Sequence, residues 1–245
     1  MVDDAPTSRL VALAIDANDP PRLARFWAAA LRWEVDDSSD EVIGVVPTDG
    51  TRFRLEVAQV PEPKVGKNRI HLDLTSTSLE DQQESVARLI ELGARHVDVG
   101  QGPDDLHVVL ADPEGNELCI IEPGNRFLAS CDRLGSITCD GTPEVGRFWS
   151  AALGWPLVWD QDEETAIRSP DGTGPFITWG PPVTPKTGKN RLHLDIAPFQ
   201  HVAQAAEVDR LISLGATRID IGQGDVDWVV MADLDGNELC VLRPR

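Results

Sequence analysis

The chain has 245 residues, a formal net charge of −19 and a hydrophobic fraction of 41%. Its length fits two domains of ordinary size, and its hydrophobic fraction is ordinary for a globular protein. The negative charge argues against binding to nucleic acids or anionic membrane surfaces, because both would repel the chain. No apolar run reaches the length of a membrane span, and residues 1–8 lack the features of a signal peptide, so we expect a cytoplasmic protein.

The first 60 residues predict a strand, a helix and further strands. Residues 10–16 have strand character, after which Asp19 can cap a helix that has Pro20 at its first position. Two or three short strands should follow between Trp33 and Val60. The helix carries one apolar stripe, formed by Leu23, Phe26, Trp27, Ala30 and Leu31.

Residues 69–122 predict the same order again. Residues 69–74 form a strand, and Ser78 with Asp81 resembles the capping box of a second helix that ends at Gly93. The buried face of that helix should be Val86, Leu89 and Ile90. Three strands complete the unit, at residues 97–99, 106–111 and 117–122.

The second half repeats this order because the chain is an internal duplication. Lys67-Asn68-Arg69-Ile70-His71-Leu72-Asp73 returns at 189–195, Arg25-Phe26-Trp27 at 147–149, and Asp112-Pro113-Glu114-Gly115-Asn116-Glu117-Leu118-Cys119, with two substitutions, at 233–240. Thr142 and Pro143 should begin the first helix of this copy, and residues 199–214 should form the second. A repeat of about 120 residues is long enough for a whole domain. We therefore predict domains at residues 1–124 and 125–245, with a linker at 124–133.

The four cysteines predict a reduced, intracellular protein. They occupy positions 119, 131, 139 and 240, a spacing that matches neither a zinc ribbon nor a thioredoxin-type motif. Cys119 and Cys240 take equivalent places in the repeat, and we expect both thiols to be buried and inert. The alternative is that each is a nucleophile beside a histidine.

Three features together resemble the vicinal-oxygen-chelate superfamily, which includes glyoxalases, bleomycin-resistance proteins and extradiol dioxygenases. These are the doubled βαβββ module, the Phe-Trp of the first helix and the Asp-Pro-Glu-Gly-Asn turn. Two motifs present in both copies, Lys-Asn-Arg-x-His-Leu-Asp and Asp-x-x-Gly-Asn-Glu-x-Cys, are similar to those of bacterial glyoxalase-like domains. The resemblance implies an α+β fold of two tandem domains, each a pair of βαβββ modules whose curved mixed sheet forms an open cup. It specifies the fold more than the activity.

The resemblance also implies where a metal would bind, because metal-dependent members place one ligand on each of four strands that face the cup. Those positions fall at Ala12 and Ser136, at Ala58 and Gly180 with Gln59 as an alternative register, at His71 and His193, and at Cys119 and Cys240. Divalent metals usually need three or four protein ligands. We therefore expect no metal cofactor; if a divalent metal were bound, His71 and His193 would be its ligands.

Strand alternation predicts what lines the cup of the first copy. The candidate ligand-binding residues there are Arg54, Glu56, Arg69, His71 and Glu117. Leu10, Ala12, Ala14 and Asp16 should face the same cup from the first strand. Buried charges need partners, so Arg69 should pair with Asp73, Glu56 or Glu117. Such a network could equally serve only to fix the strand.

The second copy replaces charged cup residues by aromatic and small polar ones. Its candidate ligand-binding residues are Ser136, Thr138, Phe176, Thr178, Trp228 and Cys240. Aromatic walls with a few polar groups are typical of small-molecule sites. If only one cup binds a ligand, we expect it to be the cup of the second copy.

Three functional hypotheses follow. The first is a protein that binds a small aromatic or hydrophobic molecule, for sequestration or resistance of the bleomycin-binding kind. The second is a lyase, isomerase or dioxygenase that is either metal-dependent or uses His193 as general base, with Asp195 or Glu238 orienting it and Arg191 polarising the substrate. The third makes one domain the structural partner of the other within the chain, with a homodimer as a further option.

Overall fold

The structure is a computed structural model that describes residues 7–39, 42–102, 105–183 and 186–245. The helices are α1 (Pro20–Leu31), α2 (Leu79–Glu91), α3 (Pro143–Leu153) and α4 (Gln204–Ser213). The strands of the first half are β1 (Ser8–Ala17), β2 (Glu34–Asp36), β3 (Val42–Val46), β4 (Arg54–Gln59), β5 (Ile70–Leu74), β6 (Arg95–His96), β7 (Val108–Ala111) and β8 (Glu117–Ile120). Those of the second half are β9 (Leu134–Asp140), β10 (Leu157–Gln161), β11 (Glu164–Ile167), β12 (Phe176–Gly180), β13 (Leu192–Pro198), β14 (Thr217–Arg218), β15 (Val229–Ala232) and β16 (Glu238–Val241).

The predicted α+β fold of paired βαβββ modules is confirmed, and each of its two sheets combines strands from both halves of the chain. The first sheet has the order β14-β15-β16-β13-β1-β4-β3-β2, and the second has the order β10-β11-β12-β9-β5-β8-β7-β6. The halves meet where β1 pairs antiparallel with β13 and where β5 pairs antiparallel with β9. Each eight-stranded cup is therefore shared between the two copies. The expectation that the lining residues of one copy face one cup is wrong.

The first helix of each half is held to the turn before the last strand of the same half. Asp19 caps α1 by accepting a hydrogen bond from the backbone of Arg22, as its position before Pro20 predicted. The indole of Trp27 donates to Asp112 at 3.1 Å, and the indole of Trp149 donates to Asp233 at 3.3 Å. Both aspartates also accept backbone hydrogen bonds within their own turns. The repeated Phe-Trp and Asp-x-x-Gly-Asn motifs thus form one structural contact.

One continuous cluster of buried side chains joins both sheets and all four helices. A β-bulge between Leu10 and Ala12 shifts the register of β1 against β13. Leu10 therefore packs in the core, and its predicted place in the cup is wrong. Ala12 and Ala14 keep their cup-facing positions, opposite Asp195 and His193.

Three local predictions differ from the structure. Ile90 is 40% exposed, because the inner face of α2 is formed by Leu89 with the polar Gln82 and Ser85. Residues 97–99 form no strand, since side chains of Asp98 and Gln101 bind nearby backbone amides and compete with strand pairing. The second helix of the second half begins at Gln204 rather than at residue 199.

Two further findings concern the chain as a whole. Cysteines 119, 131, 139 and 240 are all free thiols, and 119, 139 and 240 are buried. Among the described residues, no helix combines the length and the apolar character that crossing a membrane would require.

Gly146 in α3 should be intolerant of a side chain. A Cβ at this position would lie 2.6 Å from the Cβ of Thr165, so Gly146→Ala should destabilise the protein by about 1–3 kcal/mol, although alanine favours helices. Gly188→Ala is the matched control, because a Cβ there would meet no atom within 4 Å. Urea unfolding measures both variants. Equal stability of the two variants would contradict the close packing of α3 on β11.

Candidate functional site

One cup of the molecule contains a large open cavity. We call it the His193 cup and define it by cup-facing residues of β1, β4, β13 and β16, which are Ala12, Ala14, Asp16, Arg54, Glu56, Ala58, His193, Asp195 and Cys240. Its cavity has a volume of about 1230 Å³. Trp228, which is 38% exposed, and the buried Leu242 contribute apolar surface to the wall.

A histidine, an aspartate and a cysteine meet at the base of this cavity. Nε2 of His193 lies 3.2 Å from Oδ1 of Asp195, and Asp195 is the register neighbour of Cys240 on the adjacent parallel strand. Ligand atoms of the three side chains lie within 4.8 Å of one another. Burial disfavours the imidazolium, but the Asp195 carboxylate outweighs it and raises the pKa of His193 well above its usual value. Burial also raises the pKa of the Cys240 thiol.

The equivalent cup on the second sheet has the same three residue types with a different surrounding. We call it the His71 cup, formed by His71, Asp73 and Cys119 together with cup-facing residues of β9 and β12. Oδ2 of Asp73 accepts hydrogen bonds from the hydroxyls of Ser136 and Thr138, both at 2.7 Å. Burial alone would raise the pKa of Asp73. The hydrogen bond and the charge of His71, together with these two hydroxyls, outweigh burial and lower that pKa. This carboxylate is therefore satisfied by its own scaffold.

The two cups differ at the residues that face the aspartate. Register pairing places Ser136 opposite Asp73, whereas it places Ala12 opposite Asp195. The methyl groups of Ala12 and Ala14 cannot donate hydrogen bonds. Oδ1 of Asp195 has Nε2 of His193 as its neighbour at 3.2 Å, and the buried Nδ1 of the histidine makes no hydrogen bond among the described residues in either cup. The two cups thus differ in the hydroxyls that hold the aspartate and not in the histidine.

The linker between the halves packs over the His71 cup. The ring of Phe127 stacks on Phe176 with centroids 4.4 Å apart, and it also meets Trp159 edge-on. Leu128 is buried in a small apolar cluster with Phe176 and Ala166. Since Phe176 and Ala166 occupy cup-facing register positions, linker side chains cover part of this cup.

Charged residues at the side of the His193 cup form ion pairs. Nε and Nη2 of Arg54 donate to Oε1 of Glu56 at 2.9 and 2.7 Å, and Asp36 lies 3.5 Å from the same guanidinium. Lys189 pairs with Asp16 near the cavity. The cavity wall is therefore polar on this side and apolar around Trp228.

Other predicted site residues are bound into the scaffold that surrounds the cups. Glu117 pairs with Lys64 at 2.9 Å, and Glu238 pairs with Lys186 at 2.5 Å. The guanidinium of Arg191 donates to Glu114 at 2.6 Å and to the carbonyl of Glu62 at 2.7 Å. Arg69 is buried. For Arg191 and Glu238, these contacts fit a role in positioning loops, and their hydrogen bonds among the described residues go to partners other than His193.

The pairing of strands between the two halves places the predicted site residues in different cups from those expected. Arg54 and Glu56 face the same cup as His193, Asp195, Trp228 and Cys240. Ser136, Thr138, Phe176 and Thr178 instead face the cup of His71. The sequence shows alanines on β1 where β9 has hydroxyl side chains, but the expectation paired each strand with the histidine of its own copy, which is wrong. No pattern in the sequence identifies the partner strand.

The four positions at which the superfamily places metal ligands do not form a complete set here. In the His193 cup two of them are Ala12 and Ala58, which have no donor atom. Gln59 does not substitute, because its amide donates to the carbonyl of Asn18 outside the cup. His193 and Cys240 remain, so that four-residue set does not fit this cup.

Comparisons with known proteins agree with the fold. The chain matches the family model of the glyoxalase-like domain over residues 12–121 and again over 136–242. No curated protein matches it significantly. Glyoxalase I from Zea mays is similar in structure, with a TM-score of 0.64 and 14% identity over 96% of this chain and 92% of that chain. A Bacillus subtilis protein described as a dioxygenase candidate has a TM-score of 0.58 and 12% identity over 98% and 86%. At such low identities the comparison shows a common fold, and the activity has to be inferred from the residues of the site.

The unequal surroundings of Asp73 and Asp195 should be measurable as stability. Asp73→Ala removes the acceptor of two hydroxyl hydrogen bonds and should cost about 1–3 kcal/mol more than Asp195→Ala. Both replacements remove the carboxylate beside a histidine, so the difference between them reports the hydroxyls. Chemical unfolding of the two variants gives this difference. A larger loss for Asp195→Ala would contradict the described hydrogen bonds.

Proposed function

The chain belongs to the glyoxalase-like domain family, and within that family we propose that it binds a small organic molecule in the His193 cup. The observation that carries this proposal is the cavity of about 1230 Å³ above the His193, Asp195 and Cys240 side chains. Ligand pockets have typical volumes of about 300–1,000 Å³, so the open cavity has room for a molecule of ordinary metabolite or antibiotic size.

The wall chemistry supports a ligand with an apolar, preferably aromatic, part and at least one polar group. Trp228 offers a flat partly exposed surface, with Leu242 and Ile221 nearby in the same wall. At the base, Nδ1 of His193 is a buried polar atom without a hydrogen-bond partner among the described residues. Because leaving such an atom unpaired is unfavourable, a ligand that pairs with it gains binding free energy.

We propose one ligand per chain. In the His71 cup, Ser136 and Thr138 already satisfy Asp73, and Phe127 and Leu128 of the linker pack over Phe176. The sheet that contains β5 and β9 then serves as the structural partner of the sheet that contains β1 and β13. Sequestration of a toxic compound is a role that requires binding alone and no catalytic group.

Catalysis is the second candidate, favoured by the pairing of His193 with Asp195 at the base of a cavity. An isomerase or lyase would need His193 to exchange a proton with the substrate. The raised pKa of His193, caused against burial by Asp195, favours a resting imidazolium, which can donate a proton but cannot accept one. A His193→Gln variant separates the roles: a binder keeps measurable affinity, whereas an enzyme loses turnover of the bound compound.

A ligand screen tests the proposal. Thermal-shift measurements against aromatic carboxylic acids, other aromatic metabolites and antibiotics, in the presence of a chelator, should find compounds that raise the unfolding temperature. Calorimetry of these compounds should give one site per chain. The absence of any stabilising compound, or two equal sites, would contradict the proposal.

Trp228 should be the main apolar contact of the ligand. Trp228→Ala should weaken the binding by about tenfold or more, corresponding to about 1.4 kcal/mol, because an aromatic surface is lost. Trp159→Ala is the matched control, since Trp159 is equally 38% exposed but contacts Phe127 beside the other cup. Calorimetry on both variants measures the effect. A larger loss for Trp159→Ala would place the ligand in the His71 cup.

A further inference from the structure

We infer that the outer part of the His71 cup is a second binding site, for an aromatic carboxylate, and that the linker occupies this site as an intramolecular mimic of that ligand. The ring of Phe127 takes the place of the aromatic group, and two oxygen atoms of Ser130 take the place of the carboxylate. The inference goes beyond the ligand proposed for the His193 cup, because it concerns the other sheet and a different set of contacts.

The ring of the linker rests on an aromatic surface of the cup. Phe127 stacks on Phe176 with ring centroids 4.4 Å apart and ring planes inclined by 26°, and it meets Trp159 edge-on at 6.2 Å. Stacked and edge-on pairs of this kind attract each other beyond the gain from buried area. Phe127 is itself 39% exposed, so it contributes to this contact and not to the core between sheets and helices.

A guanidinium beside the same aromatic surface holds two oxygen atoms of the linker. Cζ of Arg168 lies 4.7 Å from the centroid of the Phe176 ring. Nη1 of Arg168 donates to Oγ of Ser130 at 2.6 Å, and Nη2 donates to the carbonyl of Ser130 at 2.9 Å. Two terminal nitrogens that each bind one oxygen are the arrangement in which arginine binds a carboxylate. Ser130 therefore supplies a two-oxygen acceptor at the place where a carboxylate would bind.

The charge of Arg168 favours an anionic ligand. Arg168 is only 9% exposed, and its remaining hydrogen bonds go to the carbonyl of Gly174. Among the described residues its hydrogen-bond acceptors are thus neutral oxygens, although the chain contains 41 acidic residues. A buried charge is most stable when it has a counter-charge, and a ligand carboxylate would supply one.

The hydrogen bonds of the linker backbone leave it able to move away from the cup. The amides of Phe127 and Leu128 donate to Oδ1 of Asn125, and the amide of Cys131 donates to the carbonyl of Leu128. These bonds lie within the linker and move with it. A segment that is held to its surroundings largely by side chains opens at a lower free energy than a paired strand does. A ligand with a ring and a carboxylate can therefore compete with the linker.

The His193 cup lacks the residues that form this site. Arg54 stands opposite Ala12 where Phe176 stands opposite Ser136, so the aromatic surface is absent there. Arg54 also donates to a carboxylate of its own cup, Glu56, at 2.7 Å. The two cups therefore recognise different ligands, and the linker explains why we expect only one of them to be open in the intact chain.

Calorimetric titration of the full-length protein with naphthylacetate tests this inference. Phe127→Ala removes the competing ring and keeps the buried Leu128, so this variant should bind one more naphthylacetate per chain than the wild type does. Phe199→Ala is the matched control, because it removes a ring that stacks on His201, and it should bind the same number as the wild type. Far-ultraviolet circular dichroism checks that each variant keeps the fold.

The role of the carboxylate is tested with naphthylacetamide, which has the same ring and no charge. It should bind the site gained in Phe127→Ala at least about tenfold more weakly than naphthylacetate does. The double variant Phe127→Ala/Arg168→Lys should weaken naphthylacetate binding at that site by a similar factor, since lysine cannot bind a carboxylate through two fixed nitrogens.

The inference is overturned if Phe127→Ala binds no more naphthylacetate than the wild type, or if the amide binds the gained site as tightly as the acid. Unchanged affinity in the Arg168→Lys double variant would overturn it as well. The experiment counts the sites that Phe127→Ala gains over the wild type. Its result is therefore independent of whether the His193 cup binds a ligand.

Discussion

The structure depends on the antiparallel pairing of β1 with β13 and of β5 with β9. Each pairing closes an eight-stranded sheet, and each joins the first half of the chain to the second. A βαβββ module alone would leave the edge of its first strand unpaired, which is unfavourable for a buried apolar sheet. Because the partner strand comes from the other half, neither half contains a complete cup.

This pairing explains how a duplicated chain can carry two unlike sites. Motifs that repeat faithfully, such as Asn68 with Asn116 and Asn190 with Asn237, hydrogen-bond to each other and hold loops in both halves. Residues that face the cups are free to differ, because each cup draws one wall from each copy. β1 carries Ala12 and Ala14 where β9 carries Ser136 and Thr138. This difference changes what the aspartate on the neighbouring strand contacts. That single difference separates a carboxylate satisfied by its scaffold from one that faces a cavity.

The sequence patterns predicted most of the helices and strands, but they did not predict which strands pair with each other. The capping of α1 by Asp19 and the alternation of Arg54 and Glu56 with Leu55 and Val57 follow from local chemistry, and the structure agrees. The choice between β5 and β13 as the neighbour of β1 does not follow, because both strands carry the same Arg-x-His-Leu-Asp pattern. Periodicity specifies which face of a strand is buried and is silent about which strand lies beside it. The bulge near Leu10 could not be predicted for the same reason, since it is a shift of register against a partner strand that the sequence does not identify.

We propose that both halves together build one ligand site in the His193 cup. Hydrogen–deuterium exchange measured with and without the strongest binder of the aromatic and antibiotic set tests this most directly. We expect slower exchange in β4 (Arg54–Gln59) of the first half and in β13 (Leu192–Pro198) and β16 (Glu238–Val241) of the second half, with β5 and β9 unchanged. Slower exchange in β5 and β9, or protection confined to one half of the chain, would contradict it.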